Sequence, residues 1–451
     1  MQRSSTRLPA ALSLVLGAAA LAWPAEERET PWEEILGPSQ AQLPEPLDEI
    51  EWRTSLKSAI KQAEREDRPL FVVMRCPPCK QCSGFDQLVL EGGPELDPLL
   101  AHFVTVRLTS MADADLRLFP VEDFQDLDLS WWGWFLSPDL RVYGVYGGRD
   151  EVSDETRISV PSLAATLERV LEHHYDPRRA GWDLDGPPAP RKGRAETPER
   201  LSGFKSWRKQ SPEYDKSCMH CHQVAEILRQ PALDDGTFDK VRDLEIWPFP
   251  ENVGLVLERD HGLRVAEVRP GSPAAEAGLQ SGDVLGAAGG RRLFGQTDLR
   301  AFLHRGPRGE GSIELVGLRD GQVMSAELAL EDGWRSTALE WRMSVSQGNV
   351  GTPPGFWPNR ADGRRAALGI PQGEMAIAPW FGKKPGSAAW KAGLRPEHVI
   401  TAVDDERRDL SGRTFMVWFR QHYDVGDEVT FEVRTPDGGR SEIEVTLQRP
   451  K

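Results

Sequence analysis

The sequence predicts a multidomain chain that mixes α/β and α+β units. Three observations carry this. At 451 residues the chain is long enough for about three domains. Between Glu51 and His174 helical and strand periods alternate, the mark of an α/β unit. Further on, Gly271-Ser-Pro-Ala-Ala-Glu-Ala-Gly-Leu279 is echoed by Gly386-Ser-Ala-Ala-Trp-Lys-Ala-Gly-Leu394, so one folding unit occurs twice.

The first 22 residues read as an export signal. Arg3 and Arg7 precede an uncharged Ala/Leu-rich stretch from Leu8 to Leu21, and Ala20-Leu21-Ala22 offers a small-x-small cleavage pattern. The stretch is short for a bilayer span, and an uncleaved anchor is the competing reading. No second hydrophobic segment follows, so no membrane-spanning segment is expected after cleavage. The expected location is exported, periplasmic or extracytoplasmic. The net charge of -15 and the lack of any polybasic run argue against nucleic acid or an anionic membrane surface as partner. Residues 23–48 are rich in Pro and Glu and read as a mobile leader.

The α/β unit spans 49–175. Trp52, Leu56, Ile60 and Ala63 recur at helical spacing. Pro69 to Met74 is a continuous apolar run, as expected of a buried strand. Cys76-Pro77-Pro78-Cys79-Lys80-Gln81-Cys82 follows at once, and Phe85, Leu88 and Leu90 continue on a helical face. Phe103–Leu108, Trp131–Leu136 and Tyr143–Tyr146 read as further strands. Val160 to His174 closes the unit as an amphipathic helix.

This order resembles the thioredoxin fold, and the signature is Arg68-Pro69-Leu70-Phe71-Val72-Val73 running into Cys76. The resemblance implies a thioredoxin-like α/β/α domain with Cys76 as nucleophile and Cys79 as resolving thiol. The physics agrees: a helix N-terminus and Lys80 favour the thiolate of Cys76. Two departures stand against exchange chemistry. Trp131 falls where thioredoxins carry a cis-proline. Cys82 adds a third thiol that competes for pairing or completes a metal site. A structural disulfide is the alternative reading of the C-x-x-C.

Residues 176–217, with Pro187-Pro188-Ala189-Pro190, read as a linker. The segment 218–250 opens on Cys218-Met219-His220-Cys221-His222. C-x-x-C-H is the pattern that receives haem c: Cys218 and Cys221 each take a vinyl group, and His222 reaches the iron. Zinc held by the same residues, or a local disulfide, are the alternatives. No Met or His between Gln223 and Asn252 offers a distal ligand. His173 and His174 reach the iron only if the chain folds back. His102, His261, His304, His398 and His422 read as structural or solvated.

The repeats occupy 251–331 and 366–450, with a linker at 332–365. Gln280-Ser281-Gly282-Asp283-Val284-Leu285 resembles the PDZ domains attached to exported bacterial serine proteases. The resemblance implies two PDZ-like β-rich domains that take protein or peptide C-termini as an added strand. Val253, Gly254 and Leu255 stand at the carboxylate loop of the first copy, and Leu368, Gly369 and Ile370 at that of the second. Glu397-His398 replaces Gly282-Asp283, so weaker binding is expected of the second copy. No Gly-x-Ser-x-Gly or Gly-Ser-Gly nucleophile loop occurs, and protease activity is not expected. The expected function is an exported thiol–disulfide or haem-linked redox protein whose PDZ modules hold a client. The alternative is a binding scaffold with a degenerate thioredoxin-like domain.

Overall fold

The computed structural model describes residues 30–75, 83–129, 131–148, 158–186, 190–211, 214, 219–382 and 386–448. Strands β1 (Leu70–Arg75), β2 (Val104–Leu108), β3 (Trp131–Leu136) and β4 (Val142–Gly148) form a sheet in the order β2-β1-β3-β4. β1 and β2 run parallel, and the other pairs are antiparallel. β1 is apolar along its length because both its faces are covered. Helix α1 (Leu56–Glu66) sets Ala59 and Ala63 on one face, beside Val72 and Met74. Helices α2 (Ser83–Glu91) and α3 (Val160–Tyr175) cover the other, over Phe71, Val73, Trp131 and Phe135. The Ser55 hydroxyl caps α1, and Ser159 with Ser162 forms a capping box on α3. The resulting α/β/α sandwich is the one the sequence predicts.

Three segments read as free connections are packed instead. Of the leader, residues 30–48 lie along the body: Ile35 is buried, Gln40 N–H donates to Asp176 and Leu47 N–H to the Ala101 carbonyl. The 176–217 stretch is an arm. Leu116 N–H donates to Glu196 O at 3.0 Å, and Trp182 and Trp207 are buried. Its proline and arginine content mimics a solvated linker, but Arg178 and Arg191 donate to the carbonyls of Pro38 and Leu118, and its two tryptophans anchor it. The 332–365 stretch buries Arg335 and Arg342 and ends in strand β11, described below. The 218–250 segment is not a separate unit either. Helices α4 (Phe204–Gln210) and α5 (Cys221–Asp235) join the α1 face of the sheet, where Trp207, Met219, Cys221, Val224 and Ile227 share a core with Trp132 and Trp134.

The first repeat unit contains β5 (Leu255–Leu257), β6 (Val265–Val268), β7 (Val284–Ala288), β8 (Arg291–Arg292), helix α6 (Gln296–Arg305), β9 (Gly311–Arg319) and β10 (Gln322–Leu330). β10-β9-β7-β8 form one sheet and β5-β6 a second. The second unit follows the same order with β11 (Trp357–Arg360), β12 (Ile377–Trp380), β13 (Val399–Val403), helix α7 (Gly412–His422), β14 (Glu428–Arg434) and β15 (Arg440–Thr446), all in one five-stranded sheet.

The first unit docks on the thioredoxin-like sheet through α6. Asp298 accepts from Val145 N–H at 2.8 Å and Thr297 Oγ1 from Gly147 N–H at 3.1 Å, so the open edge of β4 is covered. Beside this contact lies a buried ionic cluster. Arg300 reaches Asp126 at 2.6 Å, Arg342 reaches Asp126 at 2.8 Å and Asp128 at 3.3 Å, and Ser344 N–H and hydroxyl donate to Asp128. Burial pushes the Asp126 carboxyl up, but Arg342 and Arg300 outweigh it and hold it below its ordinary range.

Removing one member of this cluster strands the others. Asp126→Ala leaves Arg300 and Arg342 without their shared carboxylate, and a loss of about 3–5 kcal/mol is expected in urea unfolding. A loss under about 1 kcal/mol would show that water enters the cluster.

Candidate functional site

Cys76, Cys79, Cys82 and Cys218 lie outside the described residues. The frame around the first three is described. β1 ends at Arg75, whose register partner is Trp131, the first residue of β3. Trp131 is fully buried, with Phe85 edge-on at 4.8 Å. Its Nε1–H donates to Asp86 Oδ1 at 3.2 Å. The same carboxylate binds Arg107 at 2.8 Å and lies 3.6 Å from Arg75. One buried acid on α2 thus ties together the ends of β1, β2 and β3. Sequence reasoning missed Asp86 and Arg107. The available signal was an acid directly beside Phe85 on an apolar helix face.

Cys221 is placed at the same end of the sheet. It is the first residue of α5, buried, with its sulfur 3.3 Å from Trp132 Nε1. Trp132 pairs with Met74, one residue before Arg75. Met111 N–H, from the loop after β2, donates to Met219 O. Met219 and Cys221 are therefore packed beneath the strand end that precedes Cys76 in the chain.

His222 Nδ1 lies 3.1 Å from Glu226 Oε1, and Glu226 Oε2 accepts from Trp207 Nε1 at 2.8 Å. A carboxylate on one imidazole nitrogen is how ligating histidines are oriented. This half of the motif fits a metal or haem iron. The Cys221 half fits less well, because a porphyrin bonded there must displace Trp132 from the thiol. His220 stands with its ring 5.4 Å from that of His222, and burial followed by His222 lowers its basicity.

The carboxylate-loop residues of the first repeat are Val253, Gly254 and Leu255, at the start of β5. Gly254 has φ +88°, and a Cβ there would meet the Ser272 hydroxyl at 1.9 Å. Ser272 caps the helical turn Pro273–Glu276 through Ala275 N–H. Gly254 O accepts from Arg269 N–H, and Glu258 N–H donates to Arg264 O. By the antiparallel alternation, Leu255 and Leu257 turn their backbone groups away from β6, the edge an added strand needs. The flanking helix α6 is engaged elsewhere, since Arg300 is bound to Asp126 and His304 stacks on Trp247 at 4.3 Å.

In the second unit the counterpart of Gly254 is Gly355 rather than Gly369. Gly355 has φ +85°, and its Cβ would meet the Ser387 side chain at 2.8 Å. Ser387 caps Ala388–Lys391 just as Ser272 caps its helix. Leu368, Gly369 and Ile370 lie instead in the β11–β12 connection, where Ile370 packs on Ala361, Ala376 and Val399. That connection, 361–376, is longer than the 258–264 link of the first unit and hides the true correspondence. Ala361 N–H donates to Ala376 O, and the alternation then turns Pro358 and Arg360 to the open edge of β11. Pro358 has no N–H to give an incoming strand, and α7 lies directly against β11.

Comparison with known proteins follows the same division. A thioredoxin-like family model matches residues 51–120, and a PDZ-domain model matches residues 264–310. The periplasmic pH-dependent serine endoprotease DegQ of Escherichia coli strain K12 is 28% identical over 153 residues, covering 34% of this chain and 30% of that protein. The periplasmic serine endoprotease DegP of Salmonella typhimurium strain LT2 is 25% identical over 164 residues, 35% of this chain and 34% of that protein. The chain thus spans about a third of the length of these relatives. Among solved structures, the HtrA-type protease AlgW with decapeptide matches 38% of this chain and 56% of that one at 16% identity and a TM-score of 0.19, too slight a likeness to bear on the fold. Among the described residues no helix is long and apolar enough to cross a membrane.

The two loop glycines can be told from Gly369 by stability. Gly369→Ala meets no atom within 4 Å and has only its left-handed backbone to oppose it, so about 1 kcal/mol is expected. Gly254→Ala and Gly355→Ala add a collision with a capping serine, and about 2–3 kcal/mol more is expected in denaturant unfolding of the full chain. Equal costs at all three sites would undo the correspondence.

Proposed function

We propose that this chain is a thiol–disulfide redox protein of an exported compartment, and that its first repeat unit holds a client through an exposed C-terminus. The observation that carries the reading is the position of Cys221, packed beneath the end of the β1 strand that precedes Cys76 in the chain. In the proposed cycle the Cys76 thiolate attacks a client disulfide and forms a mixed disulfide, releasing one client thiolate. Cys79 then attacks Cys76, freeing the second client sulfur and leaving a Cys76–Cys79 disulfide. The client is reduced and the protein oxidised by two electrons. The periplasmic location of the two named relatives supports export. Proteolysis is not proposed, since the sequence carries no nucleophile loop and the matched length is about a third of those proteases.

A second reading is favoured by His222 alone: its carboxylate partner suits a haem c iron ligand with Cys218 and Cys221 as thioethers. Haem supplies one-electron chemistry when bound. Glu226 would fix the imidazole, and Trp207 would hold Glu226.

Reduction of a disulfide substrate by wild type and Cys76→Ser, with dithiothreitol supplying two electrons per turnover to re-reduce the Cys76–Cys79 disulfide, tests the redox reading. Wild type is expected to be at least about 100-fold faster, since the variant lacks the attacking thiolate. Equal rates leave the scaffold reading. Protein produced in a host able to attach haem gives a peroxidase-positive band and a pyridine haemochrome spectrum if haem is bound, and neither signal if it is not.

Client binding has its own test. The full chain is expected to bind peptides with a free apolar C-terminus and to lose binding when the peptide is amidated, because the loop N–H groups face a carboxylate. Gly254→Ala is expected to weaken binding more than Gly355→Ala, because Pro358 leaves the second edge short of a donor. Binding that survives amidation would remove the carboxylate loop from the account.

A further inference from the structure

We infer that the contact between α3 and the first repeat unit is an acid-released latch, closed by two reciprocal arginine-to-histidine hydrogen bonds that only neutral imidazoles can accept. The two pairs run in opposite directions. Arg292, on β8 of the repeat unit, points Nη1 at Nδ1 of His173 on α3, at 3.2 Å. Arg169, on α3, sets Nη2 against the imidazole of His261 in the β5–β6 connection, 3.2 Å from Nδ1 and 3.4 Å from Nε2. The proton positions follow from the other partners. His173 Nε2 lies 2.7 Å from Asp185 Oδ1, so it donates there and Nδ1 is the acceptor. His261 Nδ1 also accepts from Leu263 N–H at 3.3 Å, which again makes it an acceptor. Arg169 completes the contact through the carbonyls of Phe294 and His261. A proton on either Nδ1 replaces an acceptor with a second cation against a guanidinium.

The surrounding charges are mixed. His173 faces Arg292 and Arg179, with Asp185 opposing them, and its ring packs on Tyr143, Trp182 and Phe294. His261 faces Arg169 and Arg264. Burial is the largest influence on both imidazoles, and with these cations it lowers each to about 4. Glu172 on α3 lies near both Arg292 and Arg169. Burial, then Glu168, pushes its carboxyl up, so its protonation favours the docked state and opposes release. Asp298 on α6 acts in the same direction, since burial pushes it up to about 6.

The sign is set by the lowered histidines. Their contribution is complete above the ordinary imidazole value of about 6.5 and is lost as pH falls toward about 4. Asp298 gains back part of this between about 6 and about 4. Opening thus takes up at most about one proton net, and its equilibrium constant is expected to rise by up to about 10-fold per pH unit. The Asp126–Arg300 contact holds the units together while the α3 side parts.

The test uses the full chain with fluorophores on unnatural amino acids at Lys61 and Glu267, read by energy transfer from pH 7.5 to 4.5 beside far-UV circular dichroism. Transfer is expected to fall with falling pH while the dichroism holds. In the double variant His173→Gln, His261→Gln, the amide oxygens still accept from the arginines but do not titrate, so transfer should stay constant. If that variant does not fold, Arg169→Gln should lower transfer already at pH 7.5. Constant transfer in wild type, equal midpoints in wild type and double variant, or a fall only together with the dichroism would each overturn the latch. None of these readouts involves thiol chemistry or peptide binding.

Discussion

Asp126 and Asp128 sit where four parts of the chain converge, out of reach of water. Asp126 belongs to the loop before β3, Arg300 to the repeat helix α6, Arg342 and Ser344 to the stretch between the repeats, and Arg229 reaches in from α5 to the Ser344 carbonyl. Each charge is tolerable only while its partners are present, because an unpaired buried ion costs several kcal/mol. The relative placement of the thioredoxin-like unit, helix α5, the first repeat and the stretch that follows it therefore depends on this cluster. Apolar packing alone would permit sliding. Fork-shaped guanidinium contacts to two carboxylates fix a register.

That register decides what the β1 end of the sheet looks like. The α1 face of a thioredoxin-like sheet is extended here by α4 and α5, which bring Cys221 and His222 beside Trp132. On the strand ends themselves, Trp131 is fully buried and Asp86 ties α2 to it. Trp131 and Trp132, at neighbouring strand positions, pack on opposite sides of the sheet.

The repeats show how one motif can serve two ends. In both units the Gly-Ser string delivers a capping serine against a left-handed glycine, so the string is retained for a packing contact as well as for a turn. The first unit then turns the backbone groups of Leu255 and Leu257 outward but commits α6 to the edge of β4. The second keeps α7 against β11 and has Pro358 on its open edge. Backbone hydrogen-bonding capacity, not fold, separates them.

The elements with strong local signals were legible in the sequence. The apolar run at 69–74, the helical faces of α1 and α3, and the duplicated Gly-Ser string all appear where periodicity and turn chemistry put them, because each is fixed by contacts within a few residues or by burial on both faces. Two kinds of feature were not legible. The packed arms at 30–48 and 176–211 carry linker-like composition, and only a distant partner surface gives Trp182, Trp207 and the arginines something to bind. Gly355 was passed over for Gly369 because a long β11–β12 connection separates it from Ser387, and only the tertiary contact reveals the pair. The sequence by itself determined which local units form and which residues carry sulfur and imidazole chemistry. The tertiary structure decided what those residues face, since the arginine–histidine pairs, the Asp126 cluster and the meeting of Cys221 with the β1 end join positions far apart in the chain, where no local periodicity reaches.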